Sequence, residues 1–179
     1  MPQSLVDTKW SEKGAKVDQI GQASNTTPVE LPRGRHSGRL DDKGRLKLPA
    51  AFVQFFESLP EKKLFLTSLD RSIAQLYPIA EWRVNEKFFA DFRANPSAAR
   101  NILFNANDLG ADVEMDSQGR ITVPAALRRD LKMEGEELHL MASKGHLEIL
   151  TEPRYQERKT KAMANTAEDL EILEMAGLR

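Results

Sequence analysis

Apolar and polar residues alternate in a short pattern around a group of turn-forming residues near position 44. Leu40, Leu46 and Leu48 flank the polar stretch Asp41–Arg45. Alternation of this kind around Asp and Gly predicts a strand, a tight turn and a second strand. Pro49 follows, and apolar residues then recur at helical spacing, which predicts a helix because the first helical position needs no N–H donor. The segment therefore predicts a β-hairpin followed by a helix.

The same pattern returns 75 residues further along the chain, where Asp116 corresponds to Asp41 and Pro124 to Pro49. Both copies contain Asp-x-x-Gly-Arg, although the residues between these positions differ. The second helix is expected to be shorter and to end near Leu131. Further apolar runs predict two more strands in each copy, at 63–69 and 73–77 and at 137–142 and 147–151. Each copy is therefore predicted to be β-β-α-β-β.

The remaining segments divide the chain into four predicted regions. Residues 1–32 are polar and lack a sustained period, which indicates a disordered arm. The first repeat spans 33–107 and includes two helices, predicted at 79–92 and 96–107. The second repeat spans 108–155. The tail, 156–179, is predicted to be an exposed helix, in which Thr166 acts as an N-terminal cap with Asp169 three residues later.

The repeat sets the expected fold class, which is α+β and mainly β. Four short strands and one helix cannot close a core alone. Two such units can interlock into a barrel that leaves no free sheet edge. The sequence thus predicts a duplicated barrel with short helices.

The composition argues against a membrane protein, a disulfide-bonded protein and a secreted protein. With 40% apolar and 30% charged residues, the chain is typical of a globular protein, and no apolar run approaches the roughly 18 residues of a membrane span. It contains no cysteine, which excludes disulfides and thiolate zinc sites. The first residues show no secretory signal pattern. We expect a cytoplasmic protein without a membrane partner, a metal or another cofactor.

Positive charge is concentrated in the first hairpin. Between positions 31 and 47 there are six cations and only two anions, whereas the net charge of the whole chain is −1. A cationic surface on an otherwise acidic protein is typical of a site that binds phosphates, because it releases the counterions condensed on a nucleic acid. A solvated, charged hairpin with no ligand is the alternative interpretation.

The turn residues have separable predicted roles. Gly44 and Gly119 can adopt a positive φ, and Asp41 and Asp116 can accept backbone N–H groups, so these four are assigned to turn structure. Arginine guanidinium suits bidentate contact with guanine or phosphate. An arginine paired with its own motif aspartate is an equally open alternative. The predicted DNA-binding residues are Arg33, Arg35, Arg39, Lys43, Arg45, Lys47, Gln118 and Arg120.

Other chemistries fit the sequence less well. Asp41 and Asp116 resemble an aspartic dyad only superficially, because the adjacent cations keep the carboxyl pKa values low. His139 and His146 flank a turn without a third metal ligand. Aromatic residues that are able to stack on bases are predicted to lie in the core instead, namely Tyr77, Trp82 and Tyr155. We therefore expect a protein that is not an enzyme.

The doubled Asp-x-x-Gly-Arg segments resemble the hallmark of the MraZ family, a doubled Asp-x-x-x-Arg motif on an AbrB-like swapped-hairpin barrel. The resemblance extends over about 33–155 and includes Tyr77-Pro78-x-x-x-Trp82, whereas Pro32, His36 and Gly38 depart from the usual pattern. It implies a nucleoid-associated regulator that binds repeats in the promoter DNA of its own division and cell-wall gene cluster. It also implies a homo-oligomeric ring. A ring-forming assembly protein without DNA readout is the alternative.

Overall fold

The computed structural model describes residues 30–179, and these form an α+β fold with antiparallel sheets. Within this part of the chain there are eight strands and six helices. The strands are β1 (Arg35–Gly38), β2 (Arg45–Lys47), β3 (Leu64–Thr67), β4 (Ala74–Pro78), β5 (Ala111–Val113), β6 (Arg120–Thr122), β7 (Leu138–Ser143) and β8 (His146–Thr151). The helices are α1 (Ala50–Ser58), α2 (Ile79–Asp91), α3 (Pro96–Leu109), α4 (Ala125–Asp130), α5 (Glu152–Ala164) and α6 (Thr166–Met175).

The strands of the two copies are exchanged. The larger sheet has the order β1-β7-β8-β4-β3-β5, and β2 pairs with β6 in a second sheet. The leading strand of each copy therefore pairs with a strand that follows the helix of the other copy, β1 with β7 and β5 with β3. The predicted hairpin is wrong in this respect: β2 pairs with β6 of the other copy. Within its own copy β2 forms only a short turn contact, the Leu40–Leu46 bridge and the hydrogen bonds between Asp41 and Arg45. Pairing across the copies protects strands that are too short to form stable hairpins alone.

The main core lies between the copies and receives equivalent residues from each. Three positions in the first copy and their counterparts 75 residues later are each at most 1% exposed, which removes them almost completely from water. They are Leu46, Leu48 and Phe52, and Ile121, Val123 and Leu127.

Most predicted helices and strands are confirmed. The prolines at 49 and 124 occupy the cap position directly before α1 and α4, and α4 ends at Asp130 as expected. Helices α2 and α3 lie where the apolar period predicts them, and the Asn95 side chain accepts the Ala98 N–H at 3.0 Å. The downstream strands β3, β4, β7 and β8 also match their predicted runs.

The aromatic residues form a second, smaller core, as predicted for Tyr77 and Trp82. Trp82 of α2 stacks on Phe65 with ring centroids 4.3 Å apart, and both pack with Tyr77. Burial, together with the Glu148 charge, raises the pKa of Tyr77 to about 12. Tyr155 stacks on the buried His139 at 4.2 Å. These rings are therefore used in packing.

The C-terminal tail is helical and exposed, as predicted, since every residue from Gln156 onward is exposed. The predicted cap is wrong: Thr166 is the first residue of α6, and its hydroxyl donates to the Ala162 carbonyl at 2.8 Å instead of accepting a backbone N–H. The predicted arm, 1–32, lies outside the described residues except for its last three. Of these, Leu31 packs against the core. Among the described residues, no helix is long and apolar enough to cross a membrane.

Candidate nucleic-acid interface

The first turn is organised by one carboxylate. Asp41 Oδ1 accepts the backbone N–H groups of Lys43 and Arg45, each at 2.9 Å. Its Oδ2 accepts Nε of Arg45 at 2.8 Å and lies 2.7 Å from Nη2 of the same guanidinium. Gly44 has a φ of +72°, a backbone conformation that a residue with a Cβ rarely adopts. Asp41 and Gly44 therefore lie together in the turn, one as the acceptor of its N–H groups and the other at its positive φ.

The second turn repeats this arrangement almost atom for atom. Asp116 accepts the N–H groups of Gln118 at 2.9 Å and Arg120 at 3.0 Å through Oδ1. Its Oδ2 accepts Arg120 Nε at 2.8 Å and lies 2.7 Å from Nη2. Gly119 also has a φ of +72°. The two turns are therefore equivalent in geometry as well as in sequence.

The two turns lie beside each other and support each other. The Leu48 N–H donates to the Gly119 carbonyl at 2.9 Å, and the Val123 N–H donates to the Gly44 carbonyl at 3.0 Å. The Lys47 ammonium also donates to the backbone carbonyl of Gln118. The strands that leave the two turns, β2 and β6, also pair directly. The result is one surface that contains two turns.

Each turn glycine is covered by the helix of the other copy. A Cβ on Gly119 would lie 2.7 Å from Cγ2 of Val53, and a Cβ on Gly44 would lie 2.1 Å from the Arg128 guanidinium. Arg128 also donates to the Val123 carbonyl at 2.6 Å. Sequence reasoning missed this role of Val53 and Arg128. The 75-residue offset, which relates these two positions, was the available signal.

Ion pairing fixes the charge of both carboxylates. Hydrogen bonds from Arg45 lower the pKa of Asp41 to about 2, and those from Arg120 lower the pKa of Asp116. Both groups are thus ionised near neutral pH, as the sequence predicts from the neighbouring cations. Each carboxylate uses both oxygens within its own turn. This arrangement differs from a dyad, in which two carboxyl groups share a proton.

The two interpretations of the motif arginines prove compatible. Each guanidinium is paired with its own aspartate through Nε and Nη2, and within residues 30–179 its Nη1 has no hydrogen-bond partner. About a quarter of each side chain is exposed, 27% for Arg45 and 25% for Arg120. The aspartate therefore holds one edge of the guanidinium and leaves another edge available to a ligand.

Exposed polar side chains surround these arginines. Lys43 and Gln118 occupy equivalent positions directly before the turn glycines, and both are exposed. Arg39 is exposed one residue before the Leu40–Leu46 bridge. A cleft of about 420 Å³ lies between α1 and the second turn and is bordered by Lys47, Val53 and Gln118. Six of the eight predicted DNA-binding residues thus lie at or next to the paired turns.

The other two predicted residues lie elsewhere. Arg33 pairs with Glu30 at the start of the described chain. Arg35 lies over the Tyr155 ring, 5.1 Å from its centroid, with Nη1 3.4 Å from His139 Nδ1. Its neighbours are therefore β7 and α5, away from the turns.

The histidines are used within the fold. His139 is buried and interacts with Glu152, and hydrogen bonds from Gln156 and His139 lower the pKa of that carboxyl. Burial lowers the pKa of His146, which is stacked near Tyr77. Among residues 30–179 no cluster of three or more metal-ligating side chains occurs.

Comparison with known proteins assigns the family. The profile of a family described as "MraZ protein, putative antitoxin-like" matches residues 110–173. A Koribacter versatilis protein named Transcriptional regulator MraZ is 38% identical over 152 residues, covering 82% of this chain and 99% of the relative. The chain belongs to the MraZ family. MraZ proteins of the same name from Acidobacterium capsulatum and Solidesulfovibrio magneticus are 34% and 30% identical, again over 82% of this chain, and 99% and 96% of these relatives are covered.

The matches to MraZ relatives extend over both turns of the candidate interface. A match to 82% of a 179-residue chain must include both turns, at 41–45 and 116–120. The profile match contains the second turn and part of the tail. The paired turns therefore lie within the part of the chain that is similar to MraZ relatives.

Proposed function

We propose that the chain is a sequence-specific DNA-binding transcriptional regulator and that its paired turns form the DNA-contacting surface. One observation carries the proposal. Two turns with the same hydrogen bonds lie beside each other, and in each turn an aspartate holds a partly exposed arginine. The relatives named transcriptional regulators support the regulatory role. An exposed, cationic, rigid surface is suited to double-stranded DNA, because it pays little entropy when it binds phosphates and base edges.

The proposed contacts follow from the donors that remain free. Arg45 and Arg120 approach a guanine edge or a phosphate with the edge that the aspartate leaves open. Lys43, Lys47 and Arg39 contact phosphates, and Gln118 contacts an adenine edge or a phosphate. In this proposal Arg33 and Arg35 contribute little, because Arg35 packs on Tyr155 and Arg33 pairs with Glu30.

The fold proposed for the site is the AbrB-like swapped-hairpin barrel. The exchange of leading strands between the copies and the direct pairing of β2 with β6 support it.

The proposed regions are the N-terminal arm, the repeats 33–107 and 108–155, and the tail 156–179. Because Leu31 packs against the core, a truncation that tests the arm should begin at Glu30. We expect that variant to fold.

The proposed targets are repeated promoter elements ahead of the division and cell-wall gene cluster that contains its own gene, as the family resemblance implies. One base contact is worth about 1–3 kcal/mol, so tight binding requires several copies that engage several repeats at once. A homo-oligomeric ring supplies these copies. The proposal places the protein in the cytoplasm at the nucleoid, and it includes no catalytic activity or cofactor, since both motif carboxylates are used within the turns.

A gel-shift experiment with DNA from upstream of the gene tests the proposal. At fixed salt, probes with one, two and three repeats are compared, together with a probe whose spacing is shifted by about half a helical turn. We expect affinity to rise steeply with repeat number and to fall when the phase is shifted. Equal affinity for one and three repeats contradicts multivalent recognition. Assembly without any DNA shift favours the ring-forming protein that lacks DNA readout.

A further inference from the structure

The acidic tail helix, α6, has apolar residues that nothing within residues 30–179 covers. Leu170, Ile172, Leu173 and Met175 are between 45% and 76% exposed. The helix also contains four carboxylates, two before Leu170 and two between the apolar residues, and no cation. A ten-residue helix is marginal in water unless tertiary packing stabilises it. The exposed leucines therefore indicate that α6 docks on another surface.

A second uncovered apolar surface lies on the helical hairpin of the first copy. We call it the α2–α3 face, defined by the side chains of Val84, Phe88, Phe92, Leu103 and Phe104. Val84, Phe88 and Phe104 are 64%, 57% and 66% exposed. Phe92 and Leu103 line an adjoining cleft of about 260 Å³ between the end of α2 and the start of α3. Isolated exposed apolar residues are common, but Phe88 and Phe92 lie together, with ring centroids 5.3 Å apart, and clustered exposed apolar residues mark an interaction site.

The charges of the two surfaces are complementary. The cleft on the α2–α3 face is lined by Arg93 and Arg100 and by no carboxylate. Within residues 30–179 neither arginine forms a salt bridge, and the same holds for the four carboxylates of α6, which are Glu168, Asp169, Glu171 and Glu174. Opposite charges around an apolar centre favour one partner and one orientation.

We propose that the acidic tail helix of one copy docks on the α2–α3 face of a second copy. Within residues 30–179 of one chain both surfaces are exposed, and α6 is attached to the end of α5, a 13-residue helix about 20 Å long. Two different complementary surfaces on one chain make a head-to-tail contact, which closes into a ring when the rotation permits. The inference rests on the proposed ring assembly and assigns the surface that joins its copies.

Cysteine crosslinking tests the contact, because the natural chain has no cysteine. Two differently tagged versions are co-expressed, one with Leu173→Cys and the other with Phe88→Cys, and then oxidised. We expect a disulfide-linked dimer that carries both tags. The matched control replaces Phe88→Cys by Glu57→Cys, which is exposed on α1 away from the face. A yield no higher than the control overturns the proposal. Crosslinking within one chain in the Leu173→Cys, Phe88→Cys double variant, without any between chains, also overturns it.

Charge reversal provides an independent test. Arg93→Glu with Arg100→Glu, or Glu168→Lys with Glu171→Lys and Glu174→Lys, should each reduce the mass of the assembly measured by light scattering. Combining both sets in one chain should restore it. An unchanged mass in each set, or no restoration in the combination, contradicts the proposal.

DNA binding separates failure of the contact from failure of the proposed function. Binding to a one-repeat probe should remain within about twofold in every charge-reversal variant, because the turns are untouched, whereas the gain from three repeats should be lost with the assembly. If crosslinking fails while the wild-type chain still binds three repeats more tightly than one, only the docking surface is wrong.

Discussion

The two copies of the repeat agree closely at their turns and differ in the helices attached to them. The hydrogen bonds of Asp41 and Asp116 agree within 0.1 Å. Even the ring pairs beyond the turns correspond: Phe65 stacks on Trp82 at 4.3 Å and His139 on Tyr155 at 4.2 Å, both at 27°. The geometry is therefore retained although the chemistry of the second pair has become polar.

The helices attached to the two copies differ in how they pack against the sheet. After β4, helices α2 and α3 pack on each other and on the aromatic core, and the chain returns to the sheet at β5. After β8, α5 contacts the sheet, including through an ion pair between Arg158 and Glu148 of β8, and every residue of α6 is exposed. Two copies with one scaffold thus differ in the surfaces that their attached helices expose.

Alanine substitutions in the core should have the greatest effect, and they test whether both copies contribute equally to it. Phe52 and Leu127 occupy equivalent positions and are both 0% exposed. Phe52→Ala should lower the free energy of unfolding by about 3–5 kcal/mol and Leu127→Ala by about 2–5 kcal/mol, because each leaves a cavity. Urea denaturation measures both, and Glu57→Ala on the exposed side of α1 should change it by less than about 0.5 kcal/mol. If only one of the two variants lost much of its free energy of unfolding, the two copies would not contribute equally to the core.

The next effect concerns the turn glycines. Gly44→Ala and Gly119→Ala should each lower the free energy of unfolding by about 1–3 kcal/mol, because a Cβ is strained at a φ of +72°. Gly119→Ala also brings a Cβ against Val53, so Val53→Ala should recover part of its loss and none of the loss in Gly44→Ala. A double-mutant cycle measures this difference, and equal recovery in both turns would contradict the packing described.

The turn carboxylates should make stability depend on acid. Because hydrogen bonds lower the pKa of Asp41 to about 2 from an ordinary 3.8, the ionised turn contributes stability above about pH 4. That contribution is lost as the pH falls through the folded-state pKa. Asp41→Asn should remove its share of this dependence, as should Asp116→Asn in the second copy. Denaturation at several pH values between 2 and 5 measures it, and a profile identical to wild type in both variants argues against this role.

We expect the smallest effect from exchanging the residues at which the two turns differ. Lys43→Gln gives the first turn the side chain of the second, and Gln118→Lys does the reverse. If these positions face phosphates, the slope of log affinity against log salt should fall by about one in the first variant and rise by about one in the second. Anisotropy titrations at several salt concentrations measure the slope. No change in either variant removes both positions from the interface.

The sequence predicted much of this architecture because the evidence was local or repeated. Asp41 and Gly44 specify their turn through residues at most four positions away, and the 75-residue repeat predicts the same turn at Asp116. The partner of β2 was missed because strand pairing depends on contacts distant in sequence. The role of Arg128 above Gly44 was missed for the same reason. Thr166 has the sequence pattern of a cap, but the preceding helix already supplies the acceptor for its hydroxyl.

DNA binding by Arg45→Ala, Arg120→Ala and the double variant shows whether both motif arginines contact DNA while their aspartates hold them. All three should keep the wild-type mass of the assembly, because each arginine lies at an exposed turn. On a three-repeat probe at fixed salt, each single variant should bind at least tenfold more weakly, the energy of about one base-edge contact, and the double variant more weakly still. Wild-type affinity in the folded double variant would mean that the motif arginines do not contact the DNA.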